Sequence, residues 1–369
     1  MKKRDPAIAV NAETPDRPTM MDVARAAGVS QATVSLVLNG SPGARFSLST
    51  KNRVTRAADE LGYRFVRRTK GRASGDQLTI GFVADEITTD PWMALAFDGV
   101  REKALEYGYG ACLTVAQGDL ESDFLGSAEG SEQGLLGVIF GTILTRRVEP
   151  PPALFKRPTV LLNCYDIERR LPSVLPGDLV GGRVATERMI RAGRRRIALI
   201  TGQQGLDATR DRLKGYRQAL ASHDIPYEPE LVRPGNWEPS SGYAMTRHLM
   251  ALDRPPDAIF CANDLIAVGC YDALRELGRR IPEDVSVVGF DDREIAQSMR
   301  PPLTTLILPQ REMGAIAATI LIEAAGGLVP GPAQIKVECP LVERGSVQSP
   351  QVPKRRAHSR PRASSPKDR

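Results

Sequence analysis

Residues 19–40, TMMDVARAAGVSQATVSLVLNG, gather small hydroxyl and amide side chains at helical spacing. Thr19-x-x-Asp22 is a capping box that opens a helix reaching Ala27, where Gly28 breaks it. Ser30 can cap a second helix from Gln31 to about Leu38, and Ser47 a third over roughly Leu48–Leu61. Two short helices joined by a glycine-containing turn form a helix-turn-helix unit. Val23, Ala24, Ala27, Val29, Val34 and Val37 or Leu38 supply its buried faces. The outer face keeps Ser30, Gln31, Ala32, Thr33, Ser35 and Asn39. Such side chains suit hydrogen bonds to phosphates and to base edges in a major groove. A second polar set, Asp85, Asn163, Asn263 and Asp291, stands directly after short apolar runs. Each is either an ordinary strand-end or cap residue or a ligand-facing group in a shared cleft.

The elements that must position this second set follow from Leu78 onward. Apolar runs at 78–84, 135–141, 158–163, 196–202, 257–263 and 285–291 alternate with amphipathic stretches at 92–107, 178–192, 209–222, 239–251 and 264–277. Such alternation predicts parallel sheets with helical crossovers. So many units are too many for one sheet, which predicts two doubly wound lobes with ligand bound at the carboxyl ends of the strands.

Charge narrows the partners. The chain has 369 residues and a net charge of +6. Residues 1–77 carry +7 and residues 346–369 carry +6, whereas 78–345 carries −7. Two basic ends on an acidic body suggest an anionic partner for the ends. No apolar run reaches the ~18 residues of a membrane helix, and the N-terminus has no apolar signal core. A cytoplasmic location is expected, with no membrane partner. The five cysteines are scattered without C-x-x-C, and the three histidines stand at no ligand spacing, so neither a metal nor a cofactor is expected. There is no G-x-S-x-G, no G-x-G-x-x-G after a strand and no histidine placed as a base, so no catalytic residue is nominated.

These motifs resemble the LacI/GalR (lactose-repressor/galactose-repressor) family of bacterial transcription regulators. The headpiece carries MDVARAAGVSQATVSLVLNG (21–40) and LGY (61–63). The body carries RDRLKGYR (210–217), IFCANDLIAVG (259–269), PEDVSVVGFDD (282–292) and RPPLTTL (300–306). The resemblance implies a DNA-binding headpiece, a hinge and a two-lobed core, similar to periplasmic sugar-binding proteins, that forms a homodimer and binds a small effector. Expected boundaries are a disordered leader at 1–18, the helix-turn-helix domain at 19–63, a hinge at 64–77, the core at 78–345 and a disordered basic tail at 346–369. One lobe is expected over about 78–162 and 293–320, the other over about 163–292 and 321–345.

Carried over by position, Gln31, Ala32 and Leu36 fall where the family reads bases, and Thr19, Ser30, Thr33, Ser35 and Asn39 where it contacts phosphates. Leu36 departs from the hydrogen-bonding residue common there; it can touch a thymine methyl but cannot read guanine. The hinge departs further, since Arg72 occupies the position of an apolar minor-groove wedge and Gly71 precedes it. Arg67, Arg68 and Arg72 could instead hold phosphates or a narrow minor groove, or form a solvated basic linker. In the cleft, Arg212 sits where the family places an arginine fork on an effector hydroxyl or carboxylate. Asp291 and Asn263 sit where members accept from and donate to sugar hydroxyls, and Trp92 and Trp237 align with aromatic platforms of some members. Asp85 frames the first loop and Asn163 ends a strand. The expected function is a sequence-specific regulator, a repressor of operator DNA controlled by a sugar or sugar derivative. A purine-type effector or an activator role is the alternative, and a sugar-binding module without DNA function is the reading from another class. Replacing Arg72 with Leu tests the hinge by operator binding. Tighter binding is expected if only the wedge is missing, and weaker binding if the arginine itself touches DNA.

Overall fold

The computed structural model describes residues 20–38, 47–61, 78–85, 92–115, 134–328 and 333–348. The leader at 1–18, the hinge at 64–77, Thr19 and Asn39 lie outside them, as does the tail after 348. The chain divides into two units, 1–70 and 71–369.

The first unit holds α1 (Met20–Ala27), α2 (Gln31–Leu38) and α3 (Leu48–Glu60). Gly28 ends α1 at φ +63°, a left-handed conformation that glycine adopts without Cβ strain. The caps expected at Ser30 and Ser47 form, and the capping box at Thr19 lies outside the described residues. The Thr33 amide donates to Ser30 Oγ at 3.1 Å, and the Thr50 amide to Ser47 Oγ at 3.2 Å. Val23, Ala24, Ala27 and Val34 are buried against Val54, Ala57 and Ala58 of α3, flanked by Val29 and Val37. The core is small, so each cap, worth about 1 kcal/mol, is a sizeable part of its stability.

The second unit contains two parallel sheets. The first lobe is built on β1 (Thr79–Ala84), β2 (Gly110–Val115), β3 (Leu135–Val148), β4 (Thr159–Asp166), β5 (Ser173–Pro176) and β11 (Gln334–Val337), in the order β11-β5-β4-β3-β1-β2. α4 (Trp92–Glu106) and α10 (Gln310–Ala325) pack on one face with Ile80, Phe82, Ile139 and Leu162. Val83, Val138, Phe140 and Leu161 point to the other face. The period-two alternation of a strand buried on both sides accounts for the continuous apolar runs. The second lobe has β6 (Ile197–Ile200), β7 (Val232–Arg233), β8 (Ala258–Cys261) and β9 (Ser286–Val288), in the order β7-β6-β8-β9. α5 (Asp178–Arg191) and α6 (Asp207–Ala221) cover one face; α7 (Pro239–Met250) and α8 (Asp264–Glu276) cover the other. The short α9 (Glu294–Ser298) and the antiparallel pair β10 (Thr305–Leu306) and β12 (Leu341–Val342) complete it.

The doubly wound, two-lobed reading agrees with this architecture, but the crossings between lobes fall elsewhere than expected. β4 continues to Asp166 because β3 extends beyond an irregularity at 141–146 and pairs Arg146, Arg147 and Val148 with Cys164, Tyr165 and Asp166. β5 also belongs to the first sheet, so the chain crosses at Gly177 rather than at 162. Ala296, Met299 and Leu303 lie in the second lobe's core, while α10 and β11 lie wholly in the first lobe. The second crossing is therefore at Leu308–Pro309 and the third between Val337 and Leu341.

Close helix packing depends on glycines, Gly269 among them. A Cβ on Gly269 of α8 would lie 1.8 Å from the Pro239 carbonyl oxygen and 2.7 Å from the Tyr243 nitrogen, both backbone atoms of α7. Gly269→Ala should cost about 1–3 kcal/mol as the helices separate, read as a lower denaturation midpoint with unchanged slope.

Candidate functional site

α2 begins with Gln31, which is exposed, as is Ser30 before it. Thr33 is half-buried, and its hydroxyl lies 2.9 Å from Ser30 Oγ. Ser30 and Thr33 thus close the turn that presents Gln31. Ala32, Ser35 and Leu36 lie on α2, but their side chains fall outside the described residues, as do all of Arg67, Arg68 and Arg72.

The second site lies where the strand ends of both lobes meet the crossings. On the first lobe, Asp85 follows β1. Its Oδ1 accepts the Ile143 amide and its Oδ2 the Arg146 guanidinium, both at 3.0 Å. Asn163 is buried at φ +55°. Its Nδ2 donates to the Thr142 and Ile143 carbonyls at 2.8 Å, and its Oδ1 accepts the Thr145 hydroxyl at 2.7 Å. Both amide hydrogens are therefore used in holding the irregular segment of β3. Asn163, expected from its place after an apolar run to line the effector cleft, thus spends its amide hydrogens on shaping the strand end.

On the second lobe, Asp178 opens α5 and meets Arg212 of α6, both buried. Arg212 Nε donates to Asp178 Oδ1 at 2.9 Å, and Nη1 donates to the Ala262 carbonyl. Burial pushes the Asp178 carboxyl above the usual carboxylate range, and Arg212 pulls it back. The guanidinium carbon stands 3.6 Å from the Phe290 ring centroid and 5.6 Å from that of Trp237. Nη1 is 3.9 Å from Asp291 Oδ1. Asn263 caps α8 by accepting the Ile266 amide at 2.8 Å, and its Nδ2 donates to the Trp237 carbonyl at 3.1 Å. It therefore positions Trp237 as well as capping α8. Trp237 has φ +71°, and its ring occupies the space where Gly202 has no Cβ. The indole Nε1 is buried and has no acceptor.

Asp291, at φ +113°, donates its amide to the Leu306 carbonyl at 2.7 Å and accepts the Leu308 amide at 3.2 Å. A residue outside the sequence-based set joins it. Arg293 Nε is 3.6 Å from Asp291 Oδ2, and its guanidinium carbon is 4.9 Å from the centroid of Trp92 in the first lobe. The Arg293 amide donates to Asp264 Oδ2 at 2.7 Å. Burial drives the Asp264 carboxyl well above its usual range, aided by Asp291, and the Thr305 hydroxyl donates to its Oδ1 at 2.6 Å. A line of aromatic and charged groups thus runs from Trp92 through Arg293, Asp291 and Arg212 to Trp237, joining the lobes. The basic residue directly after Asp291–Asp292 was the sequence signal for Arg293. Arg210 and Asp292 are in structural pairs: Arg210 with Asp207 and Asp211, Asp292 with Arg344. A cavity of about 260 Å³ adjoins this line behind Asp178, walled by Tyr165, Asp207, Arg210 and Lys336. It touches none of the seven nominated effector residues. The aromatic faces and the buried arginine lie along the line, not in the cavity.

Among the described residues no cluster of three or more His, Cys, Asp or Glu could hold a metal, and no helix is long and apolar enough to cross a membrane.

Residues 19–64 match the model of bacterial regulatory proteins of the lacI family, and residues 186–347 match that of the periplasmic binding protein-like domain. The HTH-type transcriptional regulator CelR of Thermobifida fusca is 35% identical over 341 residues, covering 89% of this chain and 98% of CelR. The solved CelR–cellobiose complex superposes with a TM-score of 0.62 at 33% identity, covering 89% of this chain and 100% of that one. The lac repressor dimer bound to operator and the anti-inducer ONPF gives 0.61 at 26% identity, covering 90% and 100%. With headpiece, core and order all matched, the chain belongs to the LacI family: it is a DNA-binding transcription regulator with a periplasmic-binding-protein-like core.

Proposed function

We propose that this regulator is a cytoplasmic, homodimeric repressor whose operator affinity is set by a sugar bound along the line from Trp92 to Trp237. The observation that carries the effector class is the buried Trp237 indole N–H without an acceptor, beside Arg212 and Asp291. A buried donor without a partner is costly, and a ligand oxygen would satisfy it. A pyranose supplies such oxygens at its edge and an apolar face for the indole. Asp291 would accept a sugar hydroxyl, and Arg212 and Asn263 would donate from N–H groups not used internally. Trp92 and Asp85 would frame the first-lobe side. The CelR–cellobiose complex supports a sugar over a purine, and the operator-bound lac repressor dimer supports a dimer on DNA.

On DNA, Gln31, Ala32 and Leu36 would face bases, while Thr19, Ser30, Thr33, Ser35 and Asn39 would bind phosphates, with Arg67, Arg68 and Arg72 adding charge. Two headpieces would read a pseudo-palindrome about one helical turn apart. The sugar would change operator affinity because it binds one lobe arrangement better than the other.

Two variants separate the halves of this function. An operator is first selected from randomised duplexes, and sugars are screened by thermal shift. Gln31→Ala should weaken operator binding by about 10–100-fold, the ~1–3 kcal/mol of one base contact, and leave sugar binding intact. Arg212→Lys, which keeps the charge beside Asp178 but loses the fork, should do the reverse. Unchanged operator affinity in Gln31→Ala would sink the DNA-reading role.

A further inference from the structure

Gln310 opens α10 immediately after the second crossing between the lobes. It is 1% exposed, yet neither Nε2 nor Oε1 of its carboxamide has a hydrogen-bond partner. Among the described residues no other side chain has two buried polar atoms in this condition. Folded cores avoid this, because each amide atom loses water without compensation. Methionine or leucine would fill similar volume without the loss, so the packing alone does not call for an amide.

Its place in the fold supplies a reason. The Gln310 amide N–H donates to the Leu308 carbonyl at 2.8 Å, and the Leu308 N–H donates to the Asp291 carbonyl at 3.2 Å. Gln310 is thus tied by two short backbone links to the centre of the proposed effector site. α10 also packs closely on α4: a Cβ on Gly314 would lie 2.0 Å from the Ala96 carbonyl, one turn beyond Trp92. α4 follows a parallel strand, so Trp92 at its start stands at the carboxyl edge of the sheet, the edge at which ligands of such sheets bind. The first residue of α10 enters from the crossing at that same edge.

We propose that Gln310 is a specificity-determining residue for the effector, contributed by the first lobe. Its carboxamide would accept from one hydroxyl and donate to the neighbouring one. That donor–acceptor fork matches a vicinal diol, the pattern along a sugar ring edge. The buried Trp237 N–H would bind the same ligand from the second lobe, so both orphaned groups are satisfied only when the ligand spans the lobes. The inference rests on the cleft reading above and adds the first-lobe contact and the diol.

The test uses the full chain with cellobiose, D-glucose and D-ribose as probes, by calorimetric titration and by thermal melting without ligand. Gln310→Leu should raise the melting temperature of the ligand-free protein, because an uncompensated amide is removed. It should also weaken the best-bound sugar at least tenfold. Gln310→Glu, which keeps the acceptor and loses the donor, should not restore wild-type affinity. A lower ligand-free melting temperature for Gln310→Leu, or an affinity within twofold of wild type, overturns the assignment. Arg212→Lys separates the two levels. If it weakens binding and Gln310→Leu does not, only the Gln310 role falls. If Arg212→Lys binds as wild type, or no probe binds the wild type, the cleft reading falls and this inference with it.

Discussion

The buried pair of Arg212 and Asp178 is the interaction around which the core is arranged. Removing water from both charges is expensive, and only close geometry and further hydrogen bonds offset it. Arg212 therefore also reaches the Ala262 carbonyl and lies on the Phe290 ring. Those contacts fix the ends of β8 and β9 against the starts of α5 and α6. Gly182 and Gly215 allow this close approach, because a Cβ on Gly182 would lie 2.4 Å from the Arg212 carbonyl and one on Gly215 2.1 Å from the Leu179 carbonyl. Asp291, Asn263 and Trp237 are then held beside the guanidinium, two of the three in left-handed backbone conformations. Breaking the pair would leave a buried charge, about 3–5 kcal/mol, so the residues that position the site also hold the second lobe together.

Arg293 carries this arrangement to the first lobe. Its side chain stands between Asp291 and the Trp92 ring, and its amide is held by the fully buried Asp264. A ligand entering here meets an existing bridge rather than two independent surfaces. It can therefore favour one lobe arrangement over another, which is the physical requirement for control of DNA binding by an effector.

Much of this was legible in the sequence where chemistry is local. The caps at Ser30 and Ser47, the break at Gly28 and the valine and alanine spacing fixed the headpiece, because each is decided within one turn. The long apolar runs revealed the parallel strands buried on both faces. The lobe crossings were less legible. β2 (GACLTV) is a half-buried edge strand without a long apolar run, β5 and β11 are only four residues each, and β4 outlasts its apolar stretch through pairing with the far end of β3. Asn163 was read as an effector ligand because it ends an apolar run. Its commitment to Thr142, Ile143 and Thr145 depends on a strand irregularity that no periodicity announces. A single glutamine after a proline gave no signal at all. Gln310 stands out only when burial and hydrogen bonding are considered together.

The −7 body and the basic N-terminal segment now have distinct tasks, a sensor and a reader of DNA. Their connection is the central physical claim, and reciprocal linkage measures it directly. The affinity of the identified sugar should be determined for the free dimer and for the dimer saturated with its selected operator. Operator affinity should then be determined with and without saturating sugar, at one salt concentration. The two ratios should be equal and differ from one by roughly 5–150-fold, the usual range for allosteric coupling. A sugar that binds the cleft tightly while both ratios stay at one would contradict the coupling of cleft and headpiece.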